Sequence, residues 1–183
     1  MSITPQEAAE TLKDIAATER RTVSTLGYHM AWPHLVLWGC VWIVGYGAMA
    51  LGVKWPYLWL VLSSLGSAGS FAIGYAMSRG NTKPMDWRYV ATFLAIFAFI
   101  SAEFSIIPPR TDAQFGAYFP ILVALYYVLI GIWMRGWRML VLGVLLALFT
   151  LICFFHAREH FYFWMAGVGG FGLVLGGLWL RSV

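Results

Sequence analysis

The stretch RMLVLGVLLALFTLICFF, from Arg138 to Phe155, carries no charge after its first residue. An apolar run of about 20 residues, at 1.5 Å rise per residue, can cross a hydrocarbon core about 30 Å thick. Because that core holds no water to bond the peptide groups, such a segment must be helical. The stretch therefore predicts a transmembrane helix.

Five more apolar stretches of similar length flank this one and leave little chain between them. The six predicted spans are Pro33–Val53, Tyr57–Met77, Tyr89–Ile107, Gly116–Met134, Arg138–Phe155 and Phe161–Leu180. The chain is 61% hydrophobic and 11% charged, against roughly 45–50% and 25% in soluble domains. Its 183 residues cannot also supply a polar shell around six buried helices. We therefore predict an all-α integral membrane protein, a compact six-transmembrane-helix bundle formed by residues 31–183.

Basic residues outside the spans divide unevenly between the two sides of the membrane. With the N-terminus in the cytoplasm, most lie inside: Lys13, Arg20, Arg21, Arg79, Lys83, Arg88, Arg135, Arg138 and Arg181. The others, Lys54, Arg110 and Arg158, lie outside. Because short loops rich in Lys and Arg stay in the cytoplasm, both termini are expected there, in a bacterial inner (plasma) membrane. The net charge of +4 then reflects contact with anionic lipid, not with nucleic acid.

The segment 1–30 is polar and has the pattern of an amphipathic cytoplasmic or interfacial helix. Leu12, Ile15, Val23 and Leu26 share one face at helical spacing, opposite most of the charged residues. Three roles are open for that face. It lies on the inner leaflet or on its own bundle, it binds a cytoplasmic protein, or it forms a dimer seam.

Small residues recur in the second and sixth predicted spans. Gly66, Ser70 and Gly74 are spaced by four, as are Gly172 and Gly176 within the glycine-rich sixth span. Such faces let helix backbones approach closely in lipid. They predict either packing within the chain or a homo-oligomer through the sixth span, residues 161–180.

Glu103 is the one acidic residue inside a predicted span, about five residues from the outer end of the third. A carboxylate at this depth is costly unless something compensates its charge. The alternatives are an ion pair with Arg158 or Arg110, a metal or proton-linked site, or no contact with these groups. Glu103 is therefore a candidate ligand-binding residue at the outer rim.

The outer turn His156-Ala157-Arg158-Glu159-His160 is a candidate divalent-metal site. Imidazoles four apart can face one way on a helical turn, so His156, Glu159 and His160 are the predicted ligands. The string also has the H-x-x-E-H pattern of certain zinc peptidases. Those enzymes use a further acidic ligand downstream, and no Asp or Glu follows Glu159, so the pattern does not indicate a peptidase.

Polar-tipped rings recur every four residues along the first predicted span. They are His34, Trp38, Trp42 and Tyr46, and Tyr126 and Tyr127 of the fourth span lie at a compatible depth. Buried Trp and Tyr usually require a partner for N–H or O–H. The stripe therefore predicts either an aromatic packing face or a groove for an apolar or cationic ligand.

Haem is not expected, because a bis-histidine haem takes ligands from two facing helices and the histidines here pair locally in sequence. No nucleotide loop, cysteine metal cluster or serine nucleophile motif occurs, so an enzyme is the less favoured class. Two functions are expected. The first is the handling of a small solute or ion as a transporter, channel or carrier subunit. The second is a non-transporting accessory or regulatory role, in which the N-terminal helix binds a cytoplasmic partner.

Overall fold

The computed structural model describes residues 5–78 and 87–182, and every element in these ranges is helical. The helices are α1 (Pro5–Ala50), α2 (Leu58–Ser78), α3 (Trp87–Ile106), α4 (Asp112–Trp133), α5 (Trp137–His156), α6 (Phe161–Trp164) and α7 (Phe171–Arg181). A 3-10 turn, Arg158–His160, precedes α6, and a π-helical segment, Met165–Gly170, joins α6 to α7. The run Arg158–Arg181 is called the last span below. The prediction of an all-helical fold is confirmed for the described residues.

Within residues 5–78 and 87–182, five stretches are long and apolar enough to cross a membrane. They are Thr25–Ala50, Leu58–Met77, Asp112–Trp133, Trp137–His156 and Arg158–Arg181. The third predicted span corresponds to α3, whose apolar stretch among the described residues is the shorter Leu94–Ile106. The described residues thus form an all-helical chain with five candidate membrane spans, and the count of six stays a prediction. Arg79 and Lys83, used to predict orientation, lie outside the described residues, as do residues 1–4.

The first helix runs without a break through the boundary predicted near residue 30. α1 has 46 residues, so its length is roughly 70 Å at 1.5 Å per residue. Its apolar part is Thr25–Ala50, and the polar part that precedes it belongs to the same helix. The predicted amphipathic segment is therefore continuous with the first span.

The core lies between α1, α4, α5 and the last span. Its buried apolar side chains are Tyr28, Leu35, Val41, Trp42, Tyr46, Ala124, Tyr127, Met139, Leu146, Cys153, Phe161, Met165, Leu173 and Leu180. α2 packs against α1, and rings near the end of α3 pack against the first turns of α4. α1, α4, α5 and the last span thus form an inner bundle, to which α2 and α3 are added.

Glycines set how closely the inner helices approach one another. A Cβ on Gly143 of α5 would lie 2.7 Å from the carbonyl oxygen of Ala124 on α4, and a Cβ on Gly39 of α1 would lie 2.8 Å from that of Gly170. A Cβ on Gly176 would meet Leu142 at 2.8 Å, whereas one on Gly172 meets no described atom within 4 Å. The observed contacts thus favour packing within the chain, and Gly172 and Gly176 face different surroundings.

Candidate functional site

The polar-tipped stripe of α1 faces other helices of the chain. Trp42 and Tyr46 are only 4% and 2% exposed, and their rings meet edge to face at 5.7 Å. Trp38 is half-buried and donates its indole N–H to Ser70 Oγ on α2 at 3.1 Å. His34 is also half-buried and lies about three helical turns before Tyr46 in α1. Of the two predicted readings, an aromatic packing face describes Trp42 and Tyr46 better than a ligand groove.

The Tyr46 hydroxyl completes a helix that a proline interrupts. It donates to the Gly116 carbonyl oxygen of α4 at 2.6 Å. In a regular helix that carbonyl would accept from the backbone N–H of residue 120, but Pro120 has none. A carbonyl left without a donor in the hydrocarbon core is costly. Tyr46 therefore links α1 to α4 at the one carbonyl that Pro120 frees.

Aromatic rings of the last span surround this link. Tyr162 stacks on Tyr46 with ring centroids 6.3 Å apart and planes 23° apart, and Phe161 meets Tyr46 edge to face at 6.4 Å. Ring atoms of both lie 3.0 Å from where a Cβ on Gly116 would sit. The Tyr162 hydroxyl oxygen is buried and has no hydrogen-bond partner among the described residues. Tyr162 was not predicted as a site residue, since an orphaned hydroxyl is visible only in the fold.

Among the residues that the structure describes, Glu103 pairs with a hydroxyl and not with a guanidinium. Tyr118 on α4 donates its O–H to Glu103 Oε2. Arg158, one predicted partner, donates instead to Thr111 Oγ1 at 3.2 Å and lies 5.4 Å from the ring centre of Phe154. Glu103 therefore joins α3 to α4 by a contact that the sequence analysis did not consider.

Arg110, the other arginine predicted to pair with Glu103, takes part in the start of α4. Its backbone N–H donates to Gln114 Oε1 at 2.7 Å, beside a capping box in which the Thr111 hydroxyl accepts from the Gln114 backbone. The side chain of Arg110 is exposed. Its described role is local, in ending the loop between α3 and α4.

The predicted metal ligands lie together in the turn between α5 and α6 but are not arranged to bind a metal ion. His156 is the last residue of α5, and Glu159 and His160 lie in the following 3-10 turn. All three side chains are exposed. Within residues 5–78 and 87–182, no group of three His, Cys, Asp or Glu is arranged to hold a metal ion. The structure thus gives the metal hypothesis no support.

The paired tyrosines of α4 separate between two environments. Tyr127 is buried in the core at 7% exposure, whereas Tyr126 is 55% exposed, although their rings lie 6.2 Å apart. Of the predicted pair, only Tyr127 joins Trp42 and Tyr46 in the core. The two side chains therefore lie in different environments, and their role in ligand binding stays a prediction.

At the opposite end of the bundle, Arg138 ties three segments together. Its Nη1 donates to the Trp179 carbonyl oxygen at 2.6 Å and to Ser182 Oγ at 3.2 Å, and its guanidinium lies 4.9 Å from the centre of the Trp179 ring. Its backbone N–H donates to the Tyr28 hydroxyl at 3.3 Å. The start of α5, the end of α7 and the point where α1 becomes apolar are thus held at one end.

Comparison of this chain with models of known protein families, with curated proteins and with solved structures finds no match. The function is therefore inferred from the contacts that its own residues make.

Proposed function

We propose that this chain is a non-transporting accessory or regulatory membrane protein that binds a cytoplasmic protein through the N-terminal half of α1. The observation that carries the proposal is the continuity of α1 from Pro5 to Ala50. Its apolar part, Thr25–Ala50, spans about 39 Å at 1.5 Å per residue, enough for a hydrocarbon core of about 30 Å. The preceding helical residues, 5–24, extend roughly 30 Å further.

The base of this extension is fixed to the bundle. Tyr28, four residues into the apolar part, is 5% exposed and accepts a hydrogen bond from the backbone of Arg138. Arg181 lies 5.0 Å from the ring centre of Trp32, one turn further along α1. A helix held in this way moves with the bundle, so a protein bound to residues 5–24 would sense a change in the membrane domain.

The charges at the two ends support the proposed orientation. Arg135, Arg138 and Arg181 belong to the end that also holds Tyr28, from which the extension emerges. Positive loops are retained on the cytoplasmic side. On this basis residues 5–24 lie in the cytoplasm of a cell with the protein in its inner membrane, and both termini lie on that side.

A proline within the extension tests the proposal. Asp14 is exposed, and Asp14→Pro breaks a helix interior at a cost of about 3 kcal/mol, while Asp14→Ala keeps it. A photo-crosslinker at Thr11 should give one discrete protein adduct in cells with the parent chain and with Asp14→Ala. The adduct should fall at least tenfold with Asp14→Pro, with membrane insertion unchanged. Equal adduct yield from Asp14→Pro and Asp14→Ala would refute a helical docking element.

A second function, handling of a small cation, is favoured by one specific contact. Glu103 is a half-buried carboxylate that accepts a hydrogen bond from Tyr118. It is the one charged residue between Leu94 and Ile106 of α3. A carboxylate at such a depth is a common feature of ion and proton pathways. In reconstituted vesicles this function requires that Glu103→Gln abolish cation flux, and flux equal to that of protein-free vesicles would exclude it.

A further inference from the structure

Two tyrosine rings pack next to Gly116, whose carbonyl Pro120 frees, and the hydroxyl of one of them, Tyr46, is hydrogen-bonded to that carbonyl. Tyr46 of α1 donates to the Gly116 oxygen at 2.6 Å. The Tyr162 ring touches Gly116 from the last span, with Cε1 3.0 Å from the position of a Cβ. Its buried hydroxyl has no partner among the described residues. One acceptor is thus shared by two potential donors.

Exchange of the two donors would leave the number of hydrogen bonds unchanged. In the observed state Tyr46 is bonded and Tyr162 is not. In the exchanged state Tyr162 would donate to Gly116 and the Tyr46 hydroxyl would be released. Each state has one bonded and one unbonded tyrosine hydroxyl, so neither gains a hydrogen bond over the other, which is compatible with a two-state element.

Both helices next to this point depart from regular geometry. Pro120 lies one turn after Gly116 in α4, and the π-helical segment Met165–Gly170 begins three residues after Tyr162. Prolines and π-helical turns are where helices bend and shift register. A Cβ on Gly167, within the π segment, meets no described atom within 4 Å. On that side, the backbone at Gly167 is therefore not packed against a neighbouring helix.

We propose that Tyr46 and Tyr162 are alternative donors to the Gly116 carbonyl and form a two-state latch between α1 and the last span. The latch rests on the proposed function in one respect, since α1 also carries the cytoplasmic extension. With Tyr46 bonded, α1 is held against α4. With Tyr162 bonded, α1 is released from α4 and its extension changes position relative to the bundle.

The test is a distance measurement between spin labels on α1 and α4 in the full-length chain without partner. Labels at Ala50→Cys and Leu125→Cys, both exposed, are placed in a background of Cys40→Ala and Cys153→Ala, in vesicles of phosphatidylethanolamine and phosphatidylglycerol. When α1 is released from α4, the two labels should lie further apart than when it is held. Tyr46→Phe should raise the fraction of molecules at this longer separation at least threefold over the parent. Tyr162→Phe should enrich the shorter one, because the exchanged state then has no donor.

Two further variants keep the test decisive if Tyr46→Phe fails to fold. Pro120→Ala restores the backbone N–H to Gly116 and makes both tyrosines redundant, so Tyr162→Phe should no longer change the distance distribution in that background. Tyr127→Phe, at a buried tyrosine outside the latch, should match the parent. A Tyr162→Phe distribution equal to the parent's, or an equal effect with and without Pro120, would overturn the latch.

The latch and the proposed function fail in different experiments. If Tyr162→Phe leaves the distances unchanged while Asp14→Pro still loses the crosslinked protein, the latch is wrong and the docking role of α1 stands. If the distances shift as expected and no adduct depends on Asp14→Pro, the latch stands and the docking role is wrong.

Discussion

Pro120 removes one backbone donor, and the hydroxyl of Tyr46, 70 positions from Gly116 in the chain, supplies the replacement. The proline alone indicates that a carbonyl four residues earlier needs a donor. It does not indicate which side chain provides one, because that depends on how α1 and α4 pack. Tyr46 was predicted to need a partner, and the partner itself became visible only in the fold.

Removing this hydroxyl should destabilise the bundle, and restoring the backbone donor should compensate. Tyr46→Phe leaves the Gly116 carbonyl without its donor, for an expected loss of about 1–3 kcal/mol in the free energy of unfolding. In the Pro120→Ala background the same change should cost much less, since the helix then satisfies its own carbonyl. Unfolding titrations in detergent of the parent, the two single variants and the double variant measure the cost of Tyr46→Phe with and without Pro120.

The control for this cycle is an exposed tyrosine. Tyr57 is 58% exposed, and Tyr57→Phe should change the free energy of unfolding by no more than about 0.5 kcal/mol. A Tyr46→Phe cost that is equal with and without Pro120 would show that the hydroxyl acts elsewhere than on Gly116.

At the scale of the helix, the bundle depends on two kinds of glycine that look alike in the sequence. Gly143 of α5 lies where a Cβ would be 2.7 Å from the Ala124 carbonyl oxygen and 2.8 Å from the Val128 nitrogen. Gly172 of α7 lies in open space, with no described atom within 4 Å of such a Cβ. The first holds α4 and α5 together, and the second does not.

Alanine at these two positions should therefore have opposite effects. Gly143→Ala forces α4 and α5 apart and should cost about 1–3 kcal/mol of stability. Gly172→Ala should be neutral or stabilising by up to about 1 kcal/mol, because alanine favours a helix more than glycine. Thermal midpoints of the two variants in the same detergent check the prediction, which fails if Gly143→Ala melts no lower than Gly172→Ala.

The helices themselves were largely predictable, and their contacts were not. The second predicted span, residues 57–77, is α2 (Leu58–Ser78) almost residue for residue, because bilayer thickness sets the length of an apolar helix. The continuity of α1 was not predicted, because the apolar part of the helix begins only at Thr25, whereas the helical backbone already begins at Pro5. Glu103 was recognised as needing a partner, but Tyr118 is provided by the packing of α3 on α4.

Over the whole molecule, the two ends of the bundle are built differently. At one end Arg138 joins α5 to the last turn of α7 and to Tyr28 through hydrogen bonds with backbone and side-chain atoms. At the other end the contacts around Tyr46 are aromatic, with one hydrogen bond to Gly116. The firmly bonded end is the base of the α1 extension, and the end with an orphaned hydroxyl is the one proposed to change state.

The continuity of α1 is the basis of the proposed docking role, and a single distance tests it most directly. Spin labels at Asp14→Cys and Ala50→Cys, in the chain lacking Cys40 and Cys153 and embedded in vesicles, bracket the extension and the membrane part. One continuous helix predicts a narrow distribution at about 50–55 Å, from 36 residues at about 1.5 Å each with a bend of up to about 30° at Pro33. A broad distribution centred below about 40 Å would mean that the N-terminal half folds back or separates from the span, and would contradict the account.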